Sequence, residues 1–155
     1  ALSSVLACSG KGADAFAALF EETGFEGRVV STELGDASSL KMVFAALTKG
    51  SVALIAEILN VAEQLGVRPE LEKLWGDQAT QQRHNQISTN AAKAWRFAGE
   101  MREISQTFSE VDAAPGFHEA AAQVFERLKS HKDWVEKPSL DALLASLSSQ
   151  DIDEK

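Results

Sequence analysis

Cys8 is the only cysteine in the chain, so no internal disulfide can form and no cysteine-based zinc site can be assembled. Positive charge is scarce: 15 Lys and Arg stand against 23 Asp and Glu, a net charge of −8. That balance disfavours a general electrostatic grip on nucleic acid or on anionic lipid. Uncharged runs fall far short of the ~20 apolar residues needed to span a bilayer, and no basic stretch precedes an apolar one as in a secretory signal. The histidines, His84, His118 and His131, show no metal-ligand spacing, so no metal site is expected. No Gly-x-Ser-x-Gly nucleophile turn is present. What remains suits a soluble, cytoplasmic protein. With 155 residues, 45% of them hydrophobic and 25% charged, the chain can pack one domain, or one domain and a fragment. It is too short for a complete two-domain enzyme.

Residues 2–9 are small and apolar, and Gly10 follows, which predicts a buried strand. Ala13, Phe16, Ala17, Leu19 and Phe20 recur at helical spacing, with Gly24 as a stop signal. Arg28–Glu33 reads as a second strand, so the opening is β-α-β. From Asp36 to Leu65 there is no proline and a single glycine, Gly50. Asp36, Ser38 or Ser39 can cap the start and Gly66 the end of one very long helix. Pro69 opens the next helix. Residues 76–93 are polar and give no clear pattern. Further helices are predicted from about Thr89 to Val111, from Phe117 to Lys129 and from Leu140 to Leu147. Cys8 reads as a small core residue, and Trp75, Trp95 and Trp134 as packing residues.

Gly10-x-Gly12-x-x-Ala15 follows a strand and opens a helix, and Glu33 ends the next strand. That is the form of a dinucleotide-binding turn, with phosphate at the glycines and ribose on the acid. A plain β-α turn has the same form, and only two strands precede the helical remainder.

The segment Glu33-Leu-Gly35-Asp-Ala37-Ser-Ser-Leu-Lys41-Met-Val changes the weight of these readings. It resembles the junction between the two domains of the 6-phosphogluconate and 3-hydroxyisobutyrate dehydrogenase superfamily, the β-hydroxyacid dehydrogenases. There a last Rossmann strand enters a long helix through a Gly-x-Gly-x-x-x-Lys turn whose Lys is catalytic. Ala37 stands here for the second Gly. The continuation through Thr48-Lys49-Gly50 and Ala-Glu-Gln-Leu-Gly66 is similar to a less-studied branch with an uncharacterised C-terminal domain. Arg102-Glu103 stands where better-known members carry a Lys-Asp pair, and Ala45 where they carry an Asn.

The resemblance covers residues 2–130. It implies a mainly α chain, a helical domain of the 6-phosphogluconate dehydrogenase C-terminal type built on one long helix. Residues 1–34 would be the last β-α-β unit of a nucleotide-binding Rossmann domain, 35–147 the helical domain and 148–155 a frayed tail. The phosphate-binding turn would then lie upstream, and the Gly10 fingerprint is a look-alike. The implied activity is NAD- or NADP-dependent oxidation of a small hydroxyacid, by a homodimer. Lys41 is the implied base; Gly35, Ala37 and Arg102 are cofactor contacts; Thr48, Lys49 and Arg96 are substrate contacts.

Taking the hydroxyl proton requires a Lys whose pKa has fallen toward neutrality, through burial or a nearby cation. At 100° per residue, Lys41, Ala45, Thr48 and Val52 share one stripe. Thr48 can supply some of the missing amide's hydrogen bonding, and Lys49 can act on Lys41 or on a substrate carboxylate. The alternative is a non-catalytic helical dimerisation module of the same fold. A one-domain nucleotide binder using Gly10–Glu33 is a third reading.

Overall fold

In a computed structural model, which describes residues 4–132, 134 and 136–149, strands β1 (Ser4–Ser9) and β2 (Phe25–Ser31) pair in parallel. Helix α1 (Ala13–Ala18) connects them. The register runs from Ser4 opposite Phe25 to Cys8 opposite Val29, then slips so that Ser9 meets Ser31. The β-α-β opening predicted from sequence is therefore present. Residues 2 and 3 of the expected first strand lie outside the described residues.

Three details differ from expectation. First, the strand expected to be buried is half open. Of β1 only Cys8 is buried, and Val5, Phe25, Val29 and Val30 are exposed, because a two-stranded sheet has few neighbours to cover it. Second, β2 begins three residues earlier than Arg28 and ends at Ser31. Third, α1 stops at Ala18 rather than running to Gly24. Leu19, Phe20 and Glu21 close tight i→i−3 turns, and Glu22 takes a positive φ of 68°. An edge-to-face run of Phe16, Phe20 and Phe25 follows from those turns.

Gly27 is required where it stands. A Cβ there would lie 2.7 Å from the Ala17 carbonyl oxygen and 3.0 Å from Ala17 Cα, backbone that cannot rotate away. Gly27→Ala is expected to destabilise the β-α-β unit by about 1–3 kcal/mol, an overpacking cost. Amide exchange in β1 and β2 should accelerate, with that of later helices unchanged; unaltered exchange in the strands would refute this.

Helix α2 spans Asp36–Gln64, 29 residues, as its freedom from proline predicts. It ends in a Schellman arrangement. Gly66 sits at φ 70°, the Val67 N–H donates to the Ala62 carbonyl and the Gly66 N–H to the Glu63 carbonyl. By length and composition α2 is apolar enough to cross a membrane. In this fold its buried face, Val52, Ala53, Ala56, Leu59 and Asn60, serves as a core wall.

The chain divides into two compact units, residues 1–44 and 45–155, and α2 starts in the first and continues in the second. The second unit is all helical. It holds the remainder of α2, then α3 (Arg68–Trp75), α4 (Asp77–Ala91), α5 (Ala94–Ser109), α6 (Gly116–Arg127), a 3₁₀ turn at Lys129–His131 and α7 (Leu140–Ser148). The mainly α class expected from sequence is the one found.

Two corrections apply here. The polar residues 76–93 are mostly helix, and the helix expected from Thr89 to Val111 is two helices broken at Ala92-Lys93. Ser139 caps α7, its hydroxyl accepting from the Ala142 N–H at 3.2 Å.

The core of this unit is Leu59, Ile87, Phe97, Met101, Ile104, Phe125, Leu128, Leu143 and Leu147, each at most 3% exposed. Asn60 is buried among them and fully engaged. Its amide donates to Glu57 Oε2 at 3.2 Å, and its carbonyl accepts from Gln64 at 3.0 Å and from Ser148 Oγ at 2.9 Å. Ser148, assigned to the tail by sequence, thus closes α7; residues 150–155 lie outside the described residues. The outer face of α2 remains apolar and open, with Leu47, Leu54, Ile58, Val61 and Leu65 all exposed.

His118 and His131 are buried in this unit, and burial pushes both imidazoles below their usual 6.5. Ser146 Oγ donates to the Ala142 carbonyl, so His131 Nε2–H donates to Ser146 Oγ at 2.9 Å. Nδ1 of His131, like Nδ1 of His118, has no partner among the described residues. A proton added there would bury an unpaired N–H. The folded pKa being the lower, the unfolded chain binds protons first, and stability falls as pH drops below about 6.5. The urea midpoint at pH 5.5 is expected below that at pH 7.5, with a smaller difference in His131→Gln. A midpoint that does not move with pH would refute this.

Candidate functional site

The first unit contains a cleft of about 650 Å³ at the C-terminal ends of β1 and β2. Its walls come from Ala7–Ser9, from the turn Lys11–Ala13 with Phe16, and from Leu34, Gly35, Ala37 and Ser38. The turns explain the glycines. Gly10, Gly12 and Gly35 take φ values of +102°, +88° and +99°, a region that costs an L side chain about 1–2 kcal/mol. A Cβ on Gly12 or Gly35 would meet nothing within 4 Å, so both leave open space at the walls. Ser9 at the end of β1 caps α2 across the cleft, its Oγ accepting from the Ala37 N–H at 3.0 Å. Asp36 accepts from Ser31 Oγ at 2.6 Å and is not among the lining residues.

Gly35 and Ala37, the expected cofactor contacts, thus share one cleft. Lys41 follows Ser38 by three residues on α2, nearly one turn, and its side chain is exposed. No ion pair engages it among the described residues.

In the second unit, Lys49 and Arg96, chosen as substrate contacts, converge on one ring. The Lys49 ammonium lies 5.1 Å and the Arg96 guanidinium 5.7 Å from the centroid of Phe97. Lys49 also forms an ion pair with Glu100, one turn further along α5. Its charge is therefore already partnered. Thr48 is exposed beside it on α2. Arg102 is set apart from this group: it joins α5 to α6 through Glu126 at 3.0 Å and Glu119 at 3.8 Å. Ala45 is buried, presenting a methyl group where an amide was sought.

Sequence reasoning missed Ser9, Lys11, Phe97 and Glu100. No group of three or more His, Cys, Asp or Glu able to hold a metal is found among the described residues. His84 instead pairs with Glu72 at 2.9 Å.

A family model described as Domain of unknown function (DUF1932) matches residues 56–128. The match is a likeness confined to that stretch, a little under half of the chain. The matched segment begins within α2 and runs just past the end of α6, and so includes Arg96, Phe97 and Glu100 but not Lys49.

A crystal structure of a conserved hypothetical protein from Sinorhizobium meliloti 1021 superimposes with a TM-score of 0.75 at 22% identity. It covers 95% of this chain and 52% of that one, a likeness of fold alone. Conserved protein MTH1747, of unknown function and structurally similar to 3-hydroxyacid dehydrogenases, matches with a TM-score of 0.66 at 26% identity. It covers 84% of this chain and 52% of that one. An uncharacterized 28.5 kDa protein in the 7S RNA 5′ region of Methanothermus fervidus is 39% identical over 64 residues, 41% of this chain and 25% of that one. The chain thus spans about half the length of these solved structures and a quarter of that curated relative.

Proposed function

We propose that this chain is the catalytic and dimerisation part of an NAD- or NADP-dependent oxidoreductase acting on a small β-hydroxyacid. One observation carries the reading. A positive-φ glycine turn, Gly35 to Ala37, lines an open cleft at the C-terminal ends of parallel strands, and Lys41 follows on the helix that the turn starts. In parallel α/β units that edge is where ligands bind. The likeness to MTH1747 supports the same reading.

The cleft fits part of a dinucleotide, since glycines keep its walls clear of side chains. Gly35 and Ala37 would hold that part, and a bound nicotinamide would supply the hydride acceptor. Lys41 accepts the hydroxyl proton from the substrate as the carbon–hydrogen bond breaks. Within the second unit, Thr48, Lys49 and Arg96 are the proposed substrate contacts, where a carboxylate would compete with Glu100 for the Lys49 ammonium. Arg102 would reach the cofactor only by leaving Glu119 and Glu126, so this reading rests on Gly35 and Ala37. The exposed apolar row on α2 supports a homodimer, and the net charge of −8 supports neither nucleic acid nor membrane as partner.

The test is reduction of NAD and of NADP with a series of small β-hydroxyacids, using a protein that carries this segment together with a nucleotide-binding half. Absence of turnover across the series at saturating cofactor would end the enzyme reading. Ala45 favours a second one, a helical dimerisation module without chemistry. A stable dimer in sedimentation with no cofactor reduction would select it.

A further inference from the structure

We propose that Lys11 is an anion-binding residue of the cleft in the first unit, holding a phosphate or carboxylate group of the ligand seated there. Lys11 is the one charged side chain among the lining residues, the rest being small, apolar or hydroxyl-bearing. It has no ion-pair partner among the described residues, in a chain where acids outnumber bases by 23 to 15. Its side chain lines the cavity.

Its position is fixed by the backbone on both sides. Gly10 and Gly12 hold positive φ angles, and the Gly10 N–H donates to the Ser31 carbonyl at 3.2 Å while the Ala13 N–H donates to the Gly10 carbonyl at 3.1 Å. The turn that carries Lys11 is thereby tied to both β2 and α1. Ser9 and Ser38 add hydroxyls to the same walls, and Ser9 is itself held by the Ala37 N–H. A Lys donates three hydrogens and serves as a point charge for phosphate or carboxylate. The turn first read as a look-alike phosphate loop thus gains a role of its own, through its side chain. The inference uses the cleft of the proposed function but does not depend on dehydrogenase chemistry.

The test is ¹⁵N-detected titration of the 155-residue chain with inorganic phosphate, with NADPH and with 3-hydroxybutyrate in separate arms. Saturable amide shifts confined to residues 9–13 and 34–38 are expected in at least one arm. They should weaken at least tenfold in Lys11→Gln and survive in Lys11→Arg. Response to phosphate and NADPH alone identifies a phosphate group; response to 3-hydroxybutyrate alone identifies a carboxylate. Equal affinity in Lys11→Gln, or no saturable shift in any arm, overturns the assignment. Retained binding without turnover by the longer protein would defeat the dehydrogenase reading and leave this one standing.

Discussion

Lys41→Ala, introduced into a protein that carries this segment with its nucleotide-binding half, is expected to lower kcat by about 10²–10⁴-fold, the usual contribution of a positioned general base. The Michaelis constant for the hydroxyacid should change far less, because Lys41 is proposed as the base and not as a substrate contact. Lys41→Arg separates base from mere cation: a guanidinium keeps the charge but does not deprotonate. It should be as slow as the alanine variant. A Lys41→Arg protein with parental turnover would remove Lys41 from the chemistry.

Phe125→Ala should cost about 3–5 kcal/mol of stability in the helical unit, the range for deleting a buried aromatic side chain. Phe125 is 1% exposed and meets Phe97 edge to face, with ring centroids 5.3 Å apart. The substitution both opens a cavity between α5 and α6 and removes that ring contact. Phe117, half exposed on the same helix, provides the control. Phe117→Ala should stay within about 0.5 kcal/mol, as surface substitutions usually do. Denaturant unfolding of the three proteins decides the matter, and equal midpoints for parent and Phe125→Ala would contradict the packing described. Because Phe97 also lies beside Lys49 and Arg96, the Phe125→Ala protein should bind an acidic substrate less well even where it remains folded.

Local chemistry made some elements legible in the sequence and hid others. Helix α2 was readable because nothing in it breaks a helix and Gly66 ends it with a left-handed turn. Helix α6 shows its apolar face at Ala121, Val124, Phe125 and Leu128, and α7 announces its start with Ser139. Helix α4 could not be read that way. Its Gln, Asn, Ser and Thr residues carry little periodicity, and it is anchored through Ile87, Ala91 and the His84–Glu72 pair. The break at Ala92-Lys93 uses neither glycine nor proline, so the pattern ran α4 into α5.

The same contrast holds at the site. Gly35, Ala37 and Lys41 form a local pattern. The partner of Lys49 is 51 residues away on α5, and the cap on Ala37 comes from Ser9, 28 residues earlier. Neither leaves a trace in nearby sequence, because each exists only once separate elements pack.

The hydrogen bond from Ser148 to Asn60 sets a practical limit on how far the chain can be trimmed. Asn60 sits in the middle of the core, and one of its two incoming donors arrives from the last turn of α7. The carbonyl of neighbouring Leu147 is held by Arg127 at 3.2 Å. A protease or an expression boundary that stops at Ala145 would strip both anchors and uncover Leu143 and Leu144. One that stops at Ser149 would leave them in place. The last turn of α7 is therefore held by an asparagine 88 residues upstream of its serine.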